Sequence, residues 1–176
     1  MAIDRQKTET VHWHAVFTAS RAEKKVRDRL EELGVECFLP VQTVLRQWTY
    51  RKSRVVVPVI AGLVFVRVGR QEQVKVLQTK GVVAFLRLKG EAGAAVIPGK
   101  QMEDFRFLLD FSEEAVEMTN ENIKAGDLVR VVKGSLRGME GELIRHKGVT
   151  KVLVRIDMLG CAMVNIPASF VEKLNK

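Results

Sequence analysis

The chain has 176 residues, a formal net charge of +8, a pI near 9.7 and 47% apolar residues. That length allows one domain or two small ones, and the charge favours a polyanionic partner such as nucleic acid, with a merely basic surface as the plain alternative. Two distant cysteines, Cys37 and Cys161, make no disulfide framework, Met1 to Lys7 lack an apolar signal core, and no run is long enough to span a membrane. A reducing, cytoplasmic setting is therefore expected.

In chain order, His12–Thr18 reads as a strand with Trp13, Ala15 and Phe17 on one side. A helix follows, with Ser20 and Glu23 in capping-box spacing and Ala22, Val26, Leu30 and Leu33 as its apolar stripe. Gly34 supplies the stop. Glu36 to Thr49 is expected to be mostly extended, with a polar turn at Tyr50–Ser53 before Val55–Val57 resumes the sheet. Pro58 suits a strand end or edge. Gly62–Val68 is apolar on both faces, which predicts a central strand covered on both sides. Arg70–Thr79 reads as a short helix with Val74 and Leu77 inward. Gly81–Leu88 reads as a strand, and Pro98–Asp110 as a helix with Met102, Phe105, Leu108 and Leu109 on its stripe. Phe111–Asn122 has few apolar anchors and reads as a linker.

The pattern then changes to short strands at Leu128–Val132, Glu140–His146, Lys151–Ile156 and Cys161–Ile166, separated by turns containing Gly134, Gly138, Gly148 and Gly160. Such spacing predicts a small β-barrel, with Pro167–Phe170 closing it and Val171 and Leu174 packing its end. The segment from Gly126 through Arg130, Gly134, Gly138 and Gly141 to Ile144 resembles the KOW motif, found in proteins that work beside RNA.

The N-terminal part carries Trp13, Ala22-Glu23-Lys24-Lys25-Val26, Glu36-Cys37-Phe38-Leu39-Pro40, Pro58-Val59-Ile60-Ala61-Gly62-Leu63-Val64-Phe65-Val66, Gly81-Val82 to Phe85, and Val96-Ile97-Pro98. This order, followed by a KOW motif, resembles the NusG family of bacterial transcription elongation factors over nearly the whole chain. Val35–Pro40 and Phe85–Leu88 are most similar to its specialised RfaH-like and UpxY-type antiterminators. The resemblance implies an α+β fold. An N-terminal antiparallel sheet with packed helices (NGN-like) over 10–110 would be joined by a linker, 111–122, to an SH3-like KOW β-barrel over 123–176.

The resemblance also implies partners. The family's N-terminal domain docks on the clamp-helix coiled coil of the large RNA polymerase subunit, and the matching positions are Ile60, Leu63 and Phe65, with Leu88 and Met102 as neighbours. Alternation puts Leu63 and Phe65 on one face of their strand and Val64 and Val66 on the other. One set is expected to meet the helices and the other the partner; ordinary core is the alternative for both. The family's aromatic strand start is replaced here by Ile60, Ala61 and Leu63, which leaves an aliphatic patch. The family's factors also pass close to non-template DNA. Lys25 and Arg29, together with Lys80 and Arg87, whose positions resemble basic ones in the operon-specific relatives, would face it, or the four are a solvated charged face. Lys25 and Arg29, four apart, share a helix face. Leu136, Met139, Met158 and Leu159 fall at predicted loop tips of the KOW part, where relatives contact Rho or a small-subunit ribosomal protein. Arg130, Lys133, Arg137, Arg145 and Lys147 are an alternative RNA-facing patch.

An enzyme is not expected: the chain has no P-loop and no G-x-S-x-G sequence. His12 and His14 have no identifiable ligand partner and read as solvent-facing, so neither metal nor cofactor is expected. The implied function is transcription antitermination or elongation, specific to an operon such as one for capsular polysaccharide. The rival readings are a general NusG factor and a ribosome-associated KOW protein. Glycines and β-branched residues favour a barrel over a helical hairpin in the KOW part.

Overall fold

The computed structural model describes residues 9–175, so Met1–Lys7, with its missing signal core, lies outside them. In chain order the elements are β1 (His12–Thr18), α1 (Glu23–Glu32), β2 (Glu36–Phe38), β3 (Val41–Trp48), β4 (Arg51–Pro58), β5 (Leu63–Val68), α2 (Glu72–Leu77), β6 (Val82–Phe85) and α3 (Gly99–Phe111). The rest is β7 (Glu117–Thr119), β8 (Asp127–Val131), β9 (Glu140–His146), β10 (Val149–Ile156), β11 (Gly160–Asn165), a 3-10 turn (Ala168–Phe170) and β12 (Val171–Lys173). They form two compact units: Met1–Leu39 with Gly62–Val96, and Pro40–Ala61 with Ile97–Lys176.

The first unit is built on an antiparallel sheet of order β2-β5-β1-β6. β5 is central, as its two-sided apolar pattern predicts, and Leu63, Val64, Phe65 and Val66 are all buried. Each such side chain contributes about 1.5–3 kcal/mol when fully removed from water. Register divides the two faces. Val66 lies opposite Cys37, and Val64 opposite Val16. Cys37 Sγ donates to the carbonyl of Arg27 on α1 at 3.7 Å, so α1 covers this face. Burial pushes the Cys37 thiol up to about 11. On the other face Phe65 stacks on Phe38, with ring centroids 6.2 Å apart.

Several local expectations are revised. β1 is buried from Trp13 to Val16, whereas Phe17 is exposed. His14 is not solvent-facing: its Nδ1 donates to the Ala95 carbonyl at 2.8 Å, and its ring meets Phe85 edge-on. Burial holds its pKa below the ordinary value. The capping box is absent, because Arg21 turns through φ 57° and leaves Ser20 outside the helix, whose N-cap is Ala22. Glu23 instead turns its carboxylate to Gly62, whose N–H it accepts at 2.7 Å. The stop at Gly34 is as expected. With φ 72° there, Gly34 N–H bonds the Glu31 carbonyl and Val35 N–H the Leu30 carbonyl, a Schellman ending. In α2 the inward residue is Val76, while Val74 and Leu77 are exposed; a helix of six residues is too short for the assumed stripe.

The second unit holds the β3–β4 hairpin, α3 and a six-stranded antiparallel sheet. In the hairpin, Trp48 pairs with Arg51, which puts the turn at Thr49–Tyr50 rather than Tyr50–Ser53. In α3 the stripe Met102, Phe105 and Leu108 is buried. The sheet has the order β12-β8-β9-β10-β11-β7. All of Leu128–Ile166 that is regular is strand, with no helical hairpin. β12 and β7 are the two ends of this order, so the predicted closed barrel is realised as an open sheet among the described residues. The turn between β9 and β10 is Lys147-Gly148, both at positive φ, the geometry of a two-residue hairpin that glycine accommodates.

The segment expected to be a linker is partly sheet. β7 pairs with β11, and Val116 just before it is buried. Gln42 holds the Val116 backbone through both its groups: its side-chain amide donates to the carbonyl at 3.1 Å, and its oxygen accepts the N–H at 2.8 Å. Glu117 takes an ion pair from the buried Lys151 Nζ at 2.7 Å. These anchors are polar and long-range, so counting apolar residues missed them.

A forked ion pair ties the sheet together. Arg155 on β10 donates Nε to Glu142 Oε1 at 2.6 Å and Nη2 to Oε2 at 2.9 Å. Arg155 Nη2 also reaches the Ile123 carbonyl at 3.0 Å, and the Gly126 N–H reaches Glu142 Oε2 at 3.0 Å. The pair thus fixes β9, β10 and the segment leading into β8. The Arg155 hydrogen bonds hold the Glu142 carboxyl below its ordinary value of 4.5.

Two outcomes are expected. Glu23→Ala leaves the Gly62 N–H unpartnered and costs about 1–3 kcal/mol in urea unfolding, whereas Glu23→Gln, which keeps an acceptor, costs less. Glu142→Gln destabilises by about 1–3 kcal/mol at neutral pH, since it removes a charge-assisted fork. Because folding lowers the Glu142 pKa, its contribution is complete above 4.5 and is lost as pH falls through the folded value. Wild-type and Glu142→Gln stabilities should therefore converge in acid; a gap unchanged down to the acid limit would contradict this role.

Candidate functional site

The basic positions lie on the first unit. Lys25 and Arg29 stand one turn apart on α1, and the turn before β6 comes to them: Arg29 Nη1 donates to the Lys80 carbonyl at 2.7 Å. Gly81 makes the approach close, since a Cβ there would lie 2.8 Å from Val26 Cγ2 and 3.6 Å from Arg29 Nη1. Lys25 and Lys80 are exposed and Arg29 is half-buried. Arg29 therefore positions the Lys80 turn, while the two lysines carry free-facing charge. Arg87 is exposed too, but it follows β6 whereas Lys80 precedes it, so the two flank opposite ends of the strand. The structure joins three of the four residues and leaves the fourth apart.

The apolar set separates differently. Leu63, Phe65 and Met102 are fully buried, Ile60 is half-buried, and Leu88 is 42% exposed. The expectation that one face of β5 stays open for a partner is not met, because both faces are covered. Ile60 and Leu88 are the members of the set that offer surface.

In the C-terminal sheet Leu136 and Met139, expected at an exposed tip, are buried, at 6% and 4% exposure. The turn folds back on itself: Gly138 N–H bonds the Val131 carbonyl, Met139 N–H the Leu136 carbonyl, and Val131 N–H the Met139 carbonyl. That folds both side chains inward, a tertiary effect that the glycine spacing does not display. Met158 and Leu159 remain accessible in the β10–β11 turn, where Met158 holds φ 68°. Of the alternative basic patch, Arg130 is paired with Glu140, and Arg145 Nε contacts the Gly148 carbonyl at 3.4 Å.

One group that the sequence reading did not single out is accessible. At the end of the β3–β4 hairpin, Trp48 is 57% and Tyr50 98% exposed. The readable signal was a pair of aromatics next to a turn, interleaved with arginine and lysine.

Comparison with known proteins places the chain. A family model described as "Transcription termination factor nusG" matches residues 11–106, more than half of the chain. No curated protein matches. A solved structure, "Domain interaction in Thermotoga maritima NusG", is similar at 22% identity and a TM-score of 0.51, covering 94% of this chain and 98% of that one. The "MjSpt4:Spt5 complex" in conformation B matches at 17% identity with a TM-score of 0.31, covering 93% and 97%. The match to the Thermotoga maritima chain speaks to the fold, and the family match spans the four-stranded sheet and the hairpin, with Lys25, Arg29, Ile60, Lys80, Arg87, Leu88 and Met102, and stops before the C-terminal sheet. The chain belongs to the NusG family of transcription factors.

Proposed function

We propose that this protein is an elongation and antitermination factor that binds RNA polymerase on the clamp helices of its large subunit and suppresses pausing or termination. The observation that carries this reading is the family match over residues 11–106. The work is binding, not bond chemistry. A factor that holds polymerase closed on nucleic acid lowers the free energy of the elongating state and has no use for a nucleophile or a cofactor. Ile60 and Leu88 supply the accessible apolar contacts, while Leu63, Phe65 and Met102 are buried. Lys25 and Lys80, the latter on a turn held by Arg29, face non-template DNA, and Arg87 adds charge beyond β6. Such contacts weaken with salt.

In this reading residues 10–110 form the NGN-like domain, 111–122 the connection, and 123–176 an SH3-like KOW module. The module's accessible Met158 and Leu159 meet Rho or a small-subunit ribosomal protein. The protein works in the cytoplasm of a bacterium. The likeness of Val35–Pro40 and Phe85–Leu88 to RfaH/UpxY-type factors supports an operon-specific role over a general one.

The test is binding of the full chain to an immobilised clamp-helix coiled coil at low salt. Ile60→Glu and Leu88→Glu should each weaken binding by about tenfold, roughly 1.4 kcal/mol, with unfolding unchanged. No binding by the folded wild-type chain would overturn the polymerase reading. In transcription assays, readthrough only on templates bearing one operon's leader marks the specialised role; equal effects on unrelated templates mark the general one.

A further inference from the structure

A cleft of about 460 Å³ opens in the first unit where the start of β1, the end of β5, the start of α2 and the loop 93–96 meet. Its polar lining is Glu9, Thr10, His12, His14, Arg70 and Gln73, and Val68 and Val96 add apolar wall. The volume lies within the range of small-molecule sites, about 300–1,000 Å³. The clefts beside α3 and at the base of the hairpin differ in that the fold already uses polar groups there: Lys100 is taken by Asp104, Arg155 by Glu142, and Gln42 by the Val116 backbone.

In the β1–β5–α2 cleft the donors are left open. Among the described residues Arg70 pairs with no carboxylate, and the side chains of Thr10, His12 and Gln73 make no hydrogen bond. Glu9, the acid of the cleft, is turned onto the backbone instead: its Oε1 accepts the Gln71 N–H at 2.8 Å. Gly69 makes room for it, since a Cβ there would lie 2.6 Å from Glu9 Cδ and 2.8 Å from Oε2. Glu72 is occupied as well, accepting the Gly69 N–H at 3.2 Å. His14 is the buried member of the lining, its Nδ1 held by the Ala95 carbonyl. Its pKa is lowered by burial first, and by the charge of His12 as well. A bound anion relieves that repulsion.

We propose that this cleft binds a small phosphate monoester bearing hydroxyl groups, with the phosphate on Arg70 and His12 and the hydroxyls on Glu9. A guanidinium and an imidazole are the donors that phosphate oxygens take in charge-assisted bonds. A carboxylate only accepts, so Glu9 selects hydroxyl donors and repels a second anionic group. Thr10 and Gln73 add neutral hydrogen-bonding groups to the same wall. A metal ion does not suit the cleft, because no three His, Cys or carboxylate ligands converge among the described residues. A polymeric anion does not suit it either, since it would need a row of cations and the cleft has one arginine and no lysine. The site shares no residue with the sets assigned to polymerase and to non-template DNA, so it can fail while the polymerase reading stands, and the reverse.

The experiment titrates the full chain with ribose 5-phosphate, and with ribose and inorganic phosphate as its two halves. The sequence has 3 histidines, so imidazole NMR signals report the site directly: His12 and His14 line it, and His146 on β9 is the internal reference. Ribose 5-phosphate should move the His12 and His14 signals saturably and leave His146 unmoved. It should bind about tenfold tighter than inorganic phosphate, the worth of one or two further hydrogen bonds, and ribose alone should not bind. Arg70→Gln should weaken binding about tenfold or more, whereas Arg87→Gln, an exposed cation outside the cleft, should leave it unchanged. Glu9→Gln keeps an acceptor for the Gln71 N–H but not the charge, so it should narrow the gap between ribose 5-phosphate and inorganic phosphate. Adenosine 5′-monophosphate separates the two sources of this chemistry: tighter binding than ribose 5-phosphate marks a nucleotide, and equal or weaker binding a sugar phosphate. The proposal is overturned if the His12 and His14 signals stay unmoved throughout, or if ribose binds as tightly as its phosphate. Equal losses in Arg70→Gln and Arg87→Gln also overturn it, since the effect is then one of general charge.

Discussion

The first unit depends on β5 being covered on both faces. A strand with Leu63, Val64, Phe65 and Val66 all buried has no face left for water, so its neighbours are constrained in turn. β1 and β2 must flank it with compatible register, α1 must lie over the Val64 and Val66 side, and Phe38 must stack on Phe65. The approach to the strand is held by the Glu23 carboxylate at the Gly62 N–H. That bond sits at the start of α1, and Arg29 near its end holds the Lys80 turn ahead of β6. One helix thus fixes both the start of the central strand and the approach to the edge strand, and the same helix presents Lys25.

This coupling of core and surface explains why the candidate interface divides as it does. Residues on a doubly covered strand cannot also be an open patch, so within the apolar set only Ile60 before the strand and Leu88 beyond β6 offer surface. Charge follows a similar logic. Cations within reach of carboxylates are drawn into forks such as Arg155 with Glu142, where their work is structural. Cations on the acid-free hairpin have no such competitor.

Much of the fold was legible from periodicity. Val26 and Leu30 of the α1 stripe (Leu33, at the C-cap, is exposed), the Schellman ending at Gly34, the central β5, the buried Met102, Phe105 and Leu108 of α3 and the four glycine-separated strands of the C-terminal part all follow from local pattern, and local pattern is what a linear sequence carries. The family was legible too, because it rests on the order of several motifs. Less was readable where a residue's fate depends on something distant. Ser20 and Glu23 have capping-box spacing, yet the positive φ at Arg21 and the demand of Gly62 redirect Glu23. His14 looks solvent-facing by alternation until the Ala95 carbonyl arrives from 81 residues away. Phe111–Asn122 looks like a linker until Gln42 and Lys151 anchor it.

The sequence by itself therefore determined the family, the order and type of the main elements, the excess of positive charge and the absence of acid across the hairpin. Only the tertiary structure decided which apolar residues are surface and which are core. Burial is a property of both faces of an element, and periodicity describes a face without saying what covers it. That is why Leu136 and Met139, set among glycines, turn inward through backbone bonds to Val131, while Trp48 and Tyr50, large rings that composition alone would bury, stand in solvent at the end of a ribbon that pairs only with itself.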